Sequence, residues 1–159
     1  MSTARSAVGL LVCVAACFAA AGVGGLFTGL SVSTWYHELQ RPAWNPPDWV
    51  FGPVWTVLYL MMAVAAWLVW RKGGWAGARA ALVLFVVQLV LNAAWTGVFF
   101  GLRAPGPAFI ELAALWIAIV ATVIAFWRRS IAAGALMLPY LAWSTFAAVL
   151  NFTIWRMNG

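Results

Sequence analysis

The chain has 159 residues, of which 66% are hydrophobic, 16% aromatic and only 8% charged, with a mean hydropathy of +0.97. Soluble domains carry about 25% charged and about 45–50% apolar residues, and a fold of this size cannot hide so much apolar surface from water. Soluble enzymes, disordered tails and nucleic-acid modules are excluded, the last despite a net charge of +6.

A membrane-spanning helix needs about 20 apolar residues, and five stretches supply them: about 7–30, 50–70, 79–100, 107–127 and 131–155. Nothing alternates like a barrel strand, and lipid admits only helices or closed barrels. The expected fold is therefore an all-α integral membrane protein, a single five-helix bundle spanning residues 1–159. In the first span, Cys13 and Cys17 stand four apart, poorly placed to bridge each other, and read as packing residues. The stretch is long enough to span rather than to be cleaved as a signal. Short links at 71–78, 101–106 and 128–130 force spans 2 to 5 to run antiparallel to their sequence neighbours.

The basic residues punctuate the spans. Arg5, Arg71, Lys72, Arg79, Arg128 and Arg129 fall on one side, and Arg41, Arg103 and Arg156 on the other. Six against three predicts a cytoplasmic N-terminus, with the long first loop on the opposite face. The compact ends, without a transit-like extension, point to a bacterial membrane. Trp49 and Trp155 suit the outer interface, and Trp70, Trp75 and Trp127 the inner one.

The first loop, 31–49, runs Trp35-Tyr36-His37-Glu38-Leu39-Gln40-Arg41-Pro42-Ala43-Trp44-Asn45-Pro46-Pro47-Asp48-Trp49. Three prolines restrict it to extended or turn shapes, so it reads as a stiff lid studded with aromatics. Asp48 is expected to cap the span that follows.

Polar groups inside spans are costly and therefore informative. Gln88, Asn92 and Trp95 share one face of the third span, and Tyr140, Trp143, Ala147 and Asn151 one face of the fifth. At 1.5 Å rise, Asn151 lies ~6 Å, Trp95 ~8 Å, Asn92 ~12 Å and Trp143 ~18 Å below the outer surface. Trp55 falls in the same layer. Either the two asparagines make interhelical hydrogen bonds, or they orient the polar edge of a large flat ligand held among the rings.

Trp35-Tyr36 and Arg41-Pro42-Ala43-Trp44-Asn45-Pro46-Pro47 carry a recognisable pattern. It continues through Val54-Trp55-Thr56-Val57-Leu58-Tyr59, Gln88-Leu89-Val90-Leu91-Asn92-Ala93-Ala94-Trp95 and Pro139-Tyr140-Leu141-Ala142-Trp143 to Asn151. In these motifs the chain resembles the translocator protein family, or tryptophan-rich sensory proteins (TspO/MBR), over nearly its whole length. The resemblance implies a multi-pass membrane protein, commonly a homodimer, that binds porphyrins such as protoporphyrin IX and haem as ligands without requiring a cofactor. It implies pocket positions at Trp35, Tyr36, Trp55, Asn92, Trp143 and Ala147. Trp44 and Asn45 of the lid and Trp95, Tyr140 and Asn151 of the shared layer complete the candidate ligand set. Transport, sensing and light-dependent porphyrin breakdown are the roles proposed for such proteins. The sterol motif of eukaryotic members needs a central tyrosine, and 149–156 has Phe152 instead, which argues against sterol binding.

Two small-residue ridges stand out: Ala93, Gly97 and Gly101 in the third span, and Gly25 with Gly29 in the first. Either packs helices within a bundle or forms a dimer seam. The resemblance favours Ala93, Gly97 and Gly101 for the dimer. Ordinary hydrolytic or metal chemistry finds no support, because His37 is the only histidine and Glu38, Asp48 and Glu111 are scattered. No catalytic or metal-ligating residues are assigned. A small exporter would want a mid-span acid, and Glu111 sits near a helix start, where it suits the helix dipole.

Overall fold

The computed structural model describes Met1–Gly159 and contains only helices and their connections. Helix α1 (Thr3–Ser31) opens on Ser2, whose hydroxyl accepts from the Arg5 amide. A short helix, α2 (Trp35–Glu38), follows inside the loop. Then come α3 (Asp48–Thr96), a π-helical continuation (Gly97–Gly101), α4 (Pro105–Arg129) and α5 (Ile131–Asn158).

Helix α3 contains two of the expected spans. Continued as a straight rod, it would hold Tyr59 and Asn92 about 50 Å apart, yet the Tyr59 hydroxyl donates to Asn92 Oδ1 at 2.5 Å. The chain reverses at Gly74, the one residue of α3 with non-helical dihedrals (φ 60°, ψ −167°). Glycine reaches that region without a Cβ penalty. What reads as a loop at 71–78 is thus helix on both sides of a single pivot, between an outgoing limb (48–73) and a return limb (75–96). With α1, α4 and α5 these limbs make five passes. The four assigned helices are each long and apolar enough to cross a membrane, α3 with its π-helical continuation running for 54 residues.

Elsewhere the expected bounds shift by a few residues. Helix α1 starts at Thr3 and α5 runs on to Asn158. Between the π-helix and α4, Arg103 takes a left-handed conformation (φ 54°) and Pro105 occupies the first turn of α4, where its missing N–H costs nothing. Between α4 and α5 the turn is Ser130 alone. Its amide donates to Phe126 O at 2.7 Å, closing α4, and its hydroxyl accepts from the Ala133 amide, opening α5.

Helix α1 packs along α3, α3 against α4 and α5, and α4 against α5. The half of the bundle away from the lid is close-packed through small side chains (Ala63, Ala66, Ala78, Ala81, Ala133) and the stacked rings of Phe85 and Phe126. Arg71 lies over the Trp67 ring at 4.5 Å and Arg5 over Trp70 at 6.0 Å. The Trp67 indole also donates to Ser6 O, fastening the start of α1 to the outgoing limb. Near the lid α1 leans on the return limb instead. Phe27 covers Gly97 and Gly101, with ring atoms 3.4 and 3.0 Å from where their Cβ atoms would stand. Two of the three residues expected at a dimer seam therefore pack inside the monomer, because α1 crosses the ridge there.

Glu111, on α4, turns both carboxylate oxygens into the bundle, where they find no hydrogen-bond partner. An unsatisfied buried polar group costs about 1–3 kcal/mol. Glu111→Leu is expected to raise the thermal unfolding temperature in lipid nanodiscs; a lower temperature would show that the carboxyl has a partner in the membrane.

Candidate ligand-binding site

A cavity of about 540 Å³ occupies the half of the bundle beneath the lid. That volume lies within the usual range for small-molecule and cofactor sites. Both limbs of α3, the π-helix, α5, the lid and α1 supply its walls. The outgoing limb contributes Trp55 and Tyr59, four residues apart, with ring centroids at 5.6 Å. Asn92, Trp95 and Thr96 come from the return limb, followed by Phe99 and Phe100 of the π-helix. Helix α5 presents Trp143, Phe146, Ala147, Leu150, Asn151 and Ile154, and the lid closes the top with Tyr36 and Asp48.

Helix α1 makes room. Ala21, Gly24, Gly25, Thr28 and Gly29 form a stripe at intervals of three and four along the cavity. A Cβ at Gly25, Gly29 or Gly52 would meet nothing within 4 Å, so the wall between α1 and the outgoing limb is thin. Sequence spacing reads Gly25 and Gly29 as a ridge for packing within the bundle or for a dimer seam; in the structure they line the cavity. The lining residues that sequence reasoning missed include five phenylalanines, Tyr59, Thr96, Leu150, Ile154 and this stripe. The stripe's small-residue periodicity was visible, but the face it served was not.

Of the eleven candidate ligand residues, seven line the cavity: Tyr36, Trp55, Asn92, Trp95, Trp143, Ala147 and Asn151. The other four stand one layer back. Trp35 packs edge-on against Phe99 at 5.7 Å and borders a separate recess with Arg103 and Trp155. Trp44 rests on Phe146, and Asn45 accepts from the Tyr36 hydroxyl at 2.8 Å. Tyr140 is fully buried behind the wall.

Both amides are engaged within the protein. Asn92 accepts from Tyr59 and donates to Tyr140 Oη at 2.9 Å, and Tyr140 donates onward to Gln88 at 2.8 Å. Asn151 accepts from the Trp95 indole at 3.0 Å and donates to Pro105 O at 2.7 Å, at the start of α4. These are interhelical hydrogen bonds: together they tie four passes and fix the Trp95 ring, and they do not aim free amides at a ligand. Removing Asn92 strands the buried Tyr59 hydroxyl and takes from Tyr140 one of its two partners. The cost of Asn92→Leu should therefore exceed the ~0.6 kcal/mol average for a membrane hydrogen bond. It would be read as a lower unfolding temperature, and an unchanged one would dismiss the network. The indole N–H groups of Trp55 and Trp143 take no protein partner and remain accessible.

The lid is fastened at three points. His37 Nε2 lies 2.7 Å from Asp48 Oδ2, and Trp44 leans on Phe146. Gln40 and Asn158 exchange two 2.9 Å hydrogen bonds, one in each direction. Asp48 thus ties α2 to the start of α3 and makes no capping bond of its own, the imidazole having taken its carboxylate. Burial pushes the Tyr36 phenol above its ordinary range, opposed by Arg41, which lies 5.0 Å over its ring, and by the bond to Asn45. Tyr36 accordingly stays a neutral donor under the lid. Asn158→Ala is expected to loosen the lid by roughly 1 kcal/mol, seen as faster amide exchange over 36–48 with the spans unchanged.

Asp48 is the only charged side chain in the lining. The site is therefore a largely apolar chamber walled by flat rings, able to stack on and desolvate a large planar molecule.

A family model described as the TspO/MBR family matches residues 13–156. The chain is 42% identical over 153 residues to the tryptophan-rich protein TspO of Chlorobaculum tepidum, covering 94% of this chain and 95% of that one. It is 42% identical over 138 residues to the human translocator protein, covering 86% and 82%. It is 41% identical over 145 residues to the tryptophan-rich sensory protein of Cereibacter sphaeroides, covering 91% and 88%.

Proposed function

From the premise that this chain belongs to the TspO/MBR family of membrane proteins, we propose that it binds porphyrin-type tetrapyrroles, such as protoporphyrin IX and haem, and acts in their transport or sensing. The observation that carries this reading is the chamber itself. Indoles from three passes (Trp55, Trp95 and Trp143) face one volume under a fastened lid. Stacked rings give a flat ligand favourable contact on both faces, and the exclusion of water strengthens the few polar contacts available. The name translocator protein, carried by a relative, accords with movement of the ligand. The reading takes the working unit to be a homodimer, with its N-terminus cytoplasmic and the lid on the opposite face.

The test is a titration of the protein in nanodiscs with protoporphyrin IX, following tryptophan fluorescence. Saturable quenching is expected, and it should be lost in Gly25→Phe, where the new ring enters open space at the cavity wall. Quenching that never saturates, or that survives filling of the cavity, would overturn the reading.

A second reading, light-dependent porphyrin degradation, is favoured by the same indoles, which are oxidisable and stand where a bound pigment would lie. Illumination in the presence of oxygen should then bleach the bound pigment in the wild type and spare it in a variant lacking Trp55 and Trp143. Equal bleaching in both would dismiss catalysis.

A further inference from the structure

We infer that the cavity is shaped for a macrocycle that forms no metal–protein bond, so that it takes metal-free porphyrin and gives iron porphyrin no axial ligand. This inference rests on the tetrapyrrole reading above and goes further by specifying how the centre of the macrocycle is held. Proteins that hold haem iron do so through histidine, cysteine thiolate, methionine or tyrosine. No histidine, cysteine or methionine lines this cavity. The single imidazole, His37, stands on the exposed side of the lid with Nε2 on Asp48 and Nδ1 3.5 Å from Arg41. Cys17 and Met62 are both fully buried in the close-packed core, and Met62 Sδ already accepts from Gln88.

The oxygen donors are also committed. Tyr59 donates to Asn92, which is held in turn by Tyr140, so ligation through Tyr59 would break the network that ties three passes together. Tyr36 donates to Asn45, and the Asp48 carboxylate is bridged to His37. Binding at such a site comes from ring stacking and burial, contributions to which a central metal adds nothing.

The experiment compares metal-free and iron(III) protoporphyrin IX on the wild type in nanodiscs, with fluorescence quenching for affinity and optical and electron paramagnetic resonance spectra for iron ligation. The two affinities should agree within about tenfold, or ~1.4 kcal/mol. The iron should keep the spectrum of a complex ligated only by water or hydroxide. Ala147→His, which adds an imidazole to the wall beside Trp143, should then create a protein-ligated iron spectrum. A protein-ligated spectrum in the wild type, lost in His37→Ala, Tyr36→Phe or Tyr59→Phe, would overturn the inference while leaving porphyrin binding intact. Silence of Ala147→His with metal-free porphyrin still bound would also overturn it, because iron porphyrin would then lie elsewhere. Failure of the metal-free compound to bind would instead remove the proposed function.

Discussion

Trp143→Ala is expected to weaken protoporphyrin IX binding by about ten- to thirtyfold, equivalent to roughly 1.4–2 kcal/mol. Its ring lines the cavity flanked by Phe146 at 5.2 Å and Phe51 at 6.1 Å, which line it too, so it meets a ligand without reorganising. A large aromatic group in a water-excluded wall is the kind of residue on which binding energy concentrates. The truncation also loosens Phe51 and Phe146, and Trp143→Phe separates the two effects. It keeps an aromatic face and should recover most of the affinity. Unchanged binding in the alanine variant would take Trp143 out of the site.

Gly134→Ala carries the largest expected effect on stability. A Cβ there would stand 2.4 Å from Trp127 Cε3 and 2.9 Å from the Trp127 Cα. The ring can swing away, but the Cα belongs to the backbone of α4. The turn joining α4 to α5 is Ser130 alone, so the seam cannot open by adjusting a loop. Overpacking of this sort costs about 1–3 kcal/mol, even though alanine has ~1 kcal/mol better helix propensity than glycine. The comparison is Gly77→Ala on the return limb, where a Cβ meets nothing within 4 Å; there the propensity gain acts alone. Thermal unfolding should therefore fall for Gly134→Ala and hold or rise for Gly77→Ala. Equal behaviour of the two would mean that the α4–α5 seam is softer than its contacts indicate.

The three fastenings of the lid have different chemistry, and this bears on exchange of ligand. The His37–Asp48 pair is exposed to solvent and ionic strength, whereas the Gln40–Asn158 pair is neutral. Asp48 lines the cavity, as does Phe146 beneath Trp44, so two of the three fastenings share a residue with the site.

The amino-acid sequence by itself determined the membrane environment, the five passes and the depth of each ring. Lipid demands unbroken apolar helices, and rise and periodicity then set how far down, and on which face, each side chain lies. Trp55, Asn92, Trp95, Trp143 and Asn151 share one layer for that reason. Only the tertiary structure decided what those faces meet. That the turn at 71–78 narrows to Gly74, that Phe27 occupies the Gly97–Gly101 ridge, and that Gly25 and Gly29 border a cavity all depend on how α1 leans across its neighbours. The same holds for hydrogen bonds: whether Asn92 meets a ligand or Tyr59 and Tyr140 turns on the rotation of three helices against one another. Such rotations come from packing between residues far apart in the chain, and no local periodicity encodes them.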